Sequence, residues 1–377
     1  MADGRGAGGN APRVAILGAG LMGRWHADTA RRLGARVVGV ADPDPARARA
    51  LAARHPGAIA FPEAEAVLSR DLVDIAHICS PLPTHAPLAA AAIERGIHAL
   101  VEKPLAASAE ETRRLLDLAR AAGVILCPVH QMGFQDGATR AAAALGTLGP
   151  VSRISFDICS AGGAGRPADA LDEITADILP HPLSILRRLW PGAPLEAARW
   201  CMHHPSAGEL LISGAHAGAL LSISISMNAR PTCFEMAVQC HKGSLRLDLF
   251  HGFALVRGGG VSRLRKAMRP FTDAGGSFAA AAANLCRRGL RGEAAYPGLR
   301  ELTRGFYAAV RTGGPWPIPP CDAIAVAAAR DDILARMAAG GTEGSAGAGA
   351  VPAAVAGRHA VDHRDRAAAG TLQHLGS

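Results

Sequence analysis

The stretch Arg13-Val14-Ala15-Ile16-Leu17-Gly18-Ala19-Gly20-Leu21-Met22-Gly23 runs a short apolar strand directly into three glycines spaced Gly-x-Gly-x-x-Gly, at the point where a helix should open. In that setting each glycine has a separate task. Gly18 permits a tight turn, Gly20 lets the backbone approach a pyrophosphate, and Gly23 lets the new helix pack closely on the strand, while the helix N-terminus attracts phosphate charge. Leu21 and Met22 belong to the same loop and are expected to line the cofactor. Asp42 closes the next apolar run, Val37 to Ala41, about 20 residues on, where a carboxylate accepts hydrogen bonds from an adenosine ribose. That favours NAD, with Arg24 and Arg47 close enough to leave NADP open.

Working outward, the apolar runs Val73 to Cys79, Ala99 to Val101 and Val124 to Cys127 alternate with helical stretches rich in Ala, Leu and Arg. Buried strands separated by helices predict a parallel sheet covered on both faces, a doubly wound Rossmann domain over residues 13–129. Beyond it, Val151 to Cys159, Leu210 to Ser213, Ala219 to Ser226, Phe234 to Cys240 and Ser244 to Leu249 follow one another closely. They predict a mostly antiparallel open sheet in a second domain, 130–339, serving substrate binding and oligomerisation. Helices are expected from Ile178 to Leu189, Gly298 to Arg311 and Asp322 to Ala338. The fold class is therefore α/β followed by α+β. Residues 1–12 are expected to be flexible, and 340–377, too poor in large apolar side chains to offset ordering entropy, disordered.

A chain of 377 residues with 49% apolar composition exceeds one ordinary core, which supports two domains. No run reaches the roughly 18 apolar residues needed to span a bilayer, and Met1 to Asn10 lacks a signal peptide's apolar segment, so a cytoplasmic location is expected. The eight cysteines include no Cys-x-x-Cys pair, and no metal site is expected. Net charge is +8 and concentrates in Arg263 to Arg291, where seven basic residues face a single acid, Asp273. With aromatics at 4% and no recognition-helix motif, nucleic acid is not an expected partner. Leu264, Met268, Phe271, Phe278, Leu285 and Leu290 lie among those charges, a composition compatible with contact to an anionic membrane surface. The favoured reading is two helices, broken at Pro270 and Gly275-Gly276, that cover the sheet or form a subunit contact.

Chemistry concentrates at three further places. Glu102-Lys103-Pro104 ends the strand through Val101, and the proline ring disfavours helical backbone at Lys103, presenting that lysine in extended conformation. Ser80-Pro81-Leu82-Pro83-Thr84-His85 follows the strand ending at Cys79, on the sheet edge where ligands of open α/β folds collect. Thr84 there is either a helix N-cap or a cofactor contact. Asp177 and His181, four residues apart, share one face if their turn is helical, although Pro180 and Pro182 make it a kinked first turn or a loop.

Taken together, the glycine loop, Glu102-Lys103-Pro104 and the Asp177/His181 pair resemble the Gfo/Idh/MocA family of glucose-fructose oxidoreductase and inositol dehydrogenase relatives, from about Arg13 to Leu334. The resemblance implies an NAD(P)-dependent oxidoreductase acting on a secondary hydroxyl, or the ketone, of a sugar, cyclic polyol or sugar derivative. It places Ser80, Thr84, His85, Glu102 and Lys103 along the cofactor. His181 becomes the acid/base group, Asp177 its orienting partner, and Lys103 the cation that stabilises alkoxide charge as hydride leaves. His130 and Gln131 are expected to bind substrate hydroxyls. Two departures bear on substrate identity: Ser184 stands where the family commonly has an acid, and Gly133 where it often has an arginine. The resemblance also implies a homo-oligomer. Redox-neutral elimination or glycoside cleavage by transient oxidation, and a non-catalytic NAD-sensing protein, are the alternatives.

Overall fold

The protein is described here as a computed structural model covering residues 11–260, 262–293 and 295–339. The expectations for 1–10 and 340–377 fall outside the described residues. Strands β1 (Arg13–Leu17), β2 (Arg36–Ala41), β3 (Ile59–Phe61), β4 (Ile75–Ile78), β5 (His98–Val101) and β6 (Leu126–Pro128) form one sheet in the order β3-β2-β1-β4-β5-β6. Every neighbouring pair in it is parallel. Helices α1 (Leu21–Arg32), α2 (Pro45–Ala52), α3 (Ala64–Leu68), α4 (His85–Glu94) and α5 (Ala109–Ala121) are the crossovers. Because both faces are covered, the strands are apolar without alternation; all four residues of β4 are buried. The strand order reverses between β1 and β4, so the carboxyl ends of those two strands bound a crevice. Only β3 escapes the sequence reading, being three residues long.

The chain continues through α6 (Asp136–Leu145), β7 (Val151–Cys159), α7 (Ala168–Ile178), α8 (Pro180–Leu189), β8 (Cys201–Ser206), β9 (Glu209–His216), β10 (Ala219–Ser226), β11 (Cys233–Cys240), β12 (Gly243–Asp248) and β13 (Phe253–Gly258). It ends in α9 (Arg263–Arg291), α10 (Leu299–Thr312) and α11 (Pro320–Ala338). The second sheet runs β13-β12-β11-β7-β10-β9-β8 and is antiparallel except where β7 meets β10. Alternation along β7 and β10 turns Ile154, Phe156, Ile158, Leu221, Ile223 and Ile225 onto one face, against Leu183 and Leu186 of α8 and Val326, Ala329 and Ile333 of α11. The C-terminal helices link this core to the first, since Leu302, Phe306 and Tyr307 of α10 and Ala323 of α11 pack with the parallel sheet. Among the described residues no helix is long and apolar enough to cross a membrane.

Three expectations are corrected. The helix expected from Ile178 to Leu189 is α8, starting two residues later, and it is preceded by an unread helix, α7; the two meet at Leu179, because Pro180 cannot continue the α7 ladder but is well placed in a first turn. Edge strands β8 and β13 were not read, their apolar residues being too few to show a period. The basic segment is one 29-residue helix, not two. Pro270 forfeits only the bond to the Lys266 carbonyl, on an exposed face where water can serve that group. Gly276 is absorbed by packing: a Cβ there would stand 3.1 Å from Leu255 Cδ1, so the glycine lets α9 approach β13.

Candidate active site

The glycine loop lies where β1 and β4 diverge. Gly18 has φ of +102°, and a Cβ on it would fall 2.8 Å from the backbone of Cys79 and of Ser80, so no larger residue fits this crossing. A Cβ on Gly23 would stand 1.9 Å from the Gly18 carbonyl oxygen. Gly20 differs, with nothing within 4 Å of its added Cβ. Its α face is open space beside the first turn of α1, which carries no acidic side chain. This is the fit expected for a pyrophosphate: a bare backbone approach, free helix N–H groups and no competing carboxylate. Leu21, 62% exposed despite being apolar, sits at the same opening, with Met22 half-buried beside it.

Asp42 ends β2 and is buried, its Oδ2 accepting the Ala19 N–H at 2.7 Å and its Oδ1 accepting the Asp44 N–H at 2.9 Å. Each oxygen keeps a lone pair for a ribose hydroxyl, whereas a 2′-phosphate would meet a fixed negative charge. Arg47 is drawn away by an ion pair with Asp44 at 3.3 Å.

In the loop after β4, Thr84 does not cap α4. Its hydroxyl lies 2.6 Å from Ser80 Oγ and 2.7 Å from the Pro81 carbonyl, folding the loop on itself. His85 is buried and its two ring nitrogens lie 2.8 Å from the carbonyls of Pro104 and Ser80. It joins the cofactor loop to the lysine loop and has no nitrogen left for a ligand.

Lys103 follows β5, and its Nζ donates to Asp177 Oδ2 at 2.5 Å and to the Asp177 carbonyl at 3.0 Å. Asp177 occupies the last turn of α7 and His181 the first turn of α8, two residues beyond the break at Leu179, so the two side chains are set by different helices. His181 is buried, its Nδ1 has no hydrogen-bond partner, and burial together with the Lys103 charge and His130 holds its pKa well below the ordinary histidine value. Burial and the same lysine lower His130 to about 4. Gln131 is buried as well, with Oε1 unpartnered. The structure thus brings a cation, a carboxylate and neutral imidazoles together beside the sheet edge that carries the glycine loop. Neutral imidazole nitrogens can accept protons, and a lysine ammonium polarises oxygen.

Two features were not legible in the sequence. Glu102 points inward: its Oε2 accepts the Lys103 N–H at 3.2 Å, and its Oε1 lies 3.1 Å from His26 Nε2. His26 Nδ1 in turn lies 3.0 Å from His77 Nδ1, and His77 Nε2 lies 3.0 Å from the Tyr307 hydroxyl. One proton assignment satisfies the whole chain, with Tyr307 donating to His77, His77 to His26 and His26 to Glu102. It leaves His77 neutral, in line with the strong lowering of its pKa by burial and then by His26. Such a chain anchors the carboxylate that holds the lysine's backbone. A histidine within the wholly buried Ile75-Ala76-His77-Ile78 was its one sequence signal. The second feature is Arg188 of α8, whose Cγ and Cβ pass 3.1 and 3.2 Å from where a Gly133 side chain would begin. Its guanidinium lies 4.5 Å from the Phe134 ring centroid. An arginine therefore occupies the region that Gly133 left without one, supplied from another element.

The parallel sheet and its glycine turn define a domain of the dinucleotide-binding Rossmann class. Residues 12–130 match the family described as oxidoreductase family, NAD-binding Rossmann fold, Gfo/Idh/MocA. An inositol 2-dehydrogenase of Corynebacterium glutamicum (strain R) is 40% identical over 108 residues, 28% of this chain and 32% of that protein. The match to this relative thus spans about a third of its length. An inositol 2-dehydrogenase of Streptomyces avermitilis is 29% identical over 266 residues, 66% of this chain and 76% of the relative. The fold matches the crystal structure of the WlbA dehydrogenase from Bordetella pertussis in complex with NADH and UDP-GlcNAcA, with a TM-score of 0.69 at 16% identity, over 89% of this chain and 97% of that one.

Proposed function

We propose that this protein is an NAD-dependent oxidoreductase that moves hydride between the nicotinamide and a secondary hydroxyl, or the corresponding ketone, of a sugar, cyclic polyol or sugar derivative. The observation that carries the reading is the Lys103 to Asp177 ion pair beside the unpartnered Nδ1 of His181. Bound NAD would supply the hydride acceptor. The remaining work falls to the chain. Asp42 and the glycine loop hold the adenosine and phosphate end, and Asp177 fixes the Lys103 ammonium where a substrate oxygen can share its protons. As an alcohol is oxidised its oxygen gains negative charge, which that ammonium stabilises, while His181 accepts the hydroxyl proton. His130, Gln131 and Arg188 would contact the remaining hydroxyls or an acidic substituent. The relatives named above, inositol 2-dehydrogenases, support a polyhydroxylated ring as substrate class.

The test is reduced-nicotinamide absorbance on mixing the purified protein with NAD, or NADP, and a panel of inositols, free sugars, sugar acids and nucleotide sugars. Net reduction with one class confirms the proposal. Substrate conversion without net reduction points to redox-neutral chemistry, and NAD binding without any conversion of the panel removes these substrates and favours a sensor.

A further inference from the structure

Helix α9 presents to solvent a seam that is complementary to itself. Along its 29 residues, positions 264, 268, 271, 275, 278, 282, 285 and 289 follow an unbroken spacing of four and three, the repeat of helices that wind around one another. This seam faces away from the protein body. Phe271 is 71% exposed, Phe278 77% and Leu264 73%, whereas Asn284 on the opposite face is buried and donates to the His251 carbonyl.

Four of the seven basic residues that suggested a membrane surface are engaged elsewhere. Arg287 and Arg291 pair with Asp136, Arg269 pairs with Asp273, and Arg288 donates to the His251 carbonyl. A helix lying on anionic lipid would instead direct its cations toward the headgroups that border its apolar face.

The seam consists of two rows of opposite size. Leu264, Phe271, Phe278 and Leu285 form a large row; the other begins at Met268 and continues through the small residues Gly275, Ala282 and Gly289. In a parallel pair each residue meets its own copy, so layers of two phenylalanines would alternate with layers of two glycines, crowded beside void. In an antiparallel pair large meets small. A single register does this in three of its four pairings: Leu264 falls opposite Gly289 of the second copy and Phe271 opposite Ala282. Phe278 then meets Gly275, and Leu285 meets Met268. The flanks that then approach are small and uncharged along the middle, at Ala267, Thr272, Ala274, Ala279, Ala281 and Cys286, with Arg265 and Arg288 towards the two ends. Burial of the five large side chains removes on the order of 600 Å² per protomer, so the pair reaches roughly the lower bound of a stable specific interface.

We infer that α9 is a homodimerisation element that pairs antiparallel with α9 of a second copy of this chain, about a two-fold axis between Gly276 and Ser277. The experiment is the native mass of the full-length protein by light scattering, with circular dichroism and NAD binding as fold controls. Phe278→Asp should halve the mass. Gly275→Phe should also halve it, by setting phenylalanine against Phe278, whereas a parallel pair would tolerate the filled gap. The exchange Gly275→Phe/Phe278→Gly restores large against small and should recover the parent mass. A monomeric parent protein, an unchanged mass in either single variant, or a double exchange that stays at half mass while folded overturns the inference. A monomer that co-sediments with phosphatidylglycerol vesicles through Phe278 also overturns it and assigns the face to lipid.

Discussion

Lys103 Nζ donates to Asp177 Oδ2 at 2.5 Å, joining the end of β5 to the last turn of α7 across 74 residues of sequence. A lysine held by one carboxylate and one backbone carbonyl has a fixed direction and one remaining N–H, which suits it to a substrate oxygen. Lys103→Met is expected to lower kcat by about 10²-fold or more, the scale of losing a donor to a developing oxyanion. NAD affinity, measured by fluorescence titration, should stay within a few-fold; unchanged turnover would remove Lys103 from the reaction.

The glycine geometry separates cofactor binding from folding. Gly20→Ala adds a methyl to open space, so the melting temperature should hold while NAD binding weakens by tenfold or more. Gly23→Ala drives a Cβ to 1.9 Å from the Gly18 carbonyl and should lower both. Equal NAD affinity in Gly20→Ala and the parent would place the pyrophosphate elsewhere.

Asp42→Ala removes the charge that meets a 2′-phosphate and also the acceptor of two backbone N–H groups. NAD affinity should fall about tenfold and the preference over NADP should narrow, at a stability cost of about 1–3 kcal/mol for the unpartnered N–H groups. Dissociation constants for both cofactors and a urea titration check the two parts.

His181 and His130 are predicted to stay neutral at pH 6 to 8, so their ring proton resonances should not titrate near 6.5, and that of His130 should move near pH 4. The linkage has a definite sign. The unfolded chain takes up the His130 proton below about 6.5 and the native one only near 4, so native stability falls as pH drops through that window, by at most about 3 kcal/mol for this residue. His130→Gln should flatten that part of the stability profile. His181→Ala should lower kcat by about 10² to 10⁴-fold at neutral pH.

Tyr307→Phe leaves His77 Nε2 buried without its partner. A loss of about 1–3 kcal/mol is expected by denaturant unfolding, with NAD affinity retained.

The Rossmann half and its ligand edge were readable because they rest on local rules. Four-residue apolar strands, glycines at fixed offsets, an acid at the end of the second strand and a proline after Lys103 act through neighbours in sequence. The same locality made Asp177 and His181 visible as a pair and hid the break between α7 and α8, since spacing records distance along the chain and not which helix bears each residue. Pro270 and Gly275-Gly276 misled for the opposite reason: their local cost to a helix is real, but exposure and the packing of Gly276 on Leu255 outweigh it.

By itself the sequence determined the parallel sheet and the glycine turn after its first strand, because periodicity and turn chemistry are properties of adjacent residues, and a family resemblance singled out Lys103, Asp177 and His181 as candidates. Only the tertiary structure decided that Lys103 meets Asp177, that Glu102, His26, His77 and Tyr307 form one buried chain, and that Arg188 fills the space beside Gly133. Those contacts join groups far apart in the chain, and their geometry and protonation follow from burial that exists only once both cores have packed.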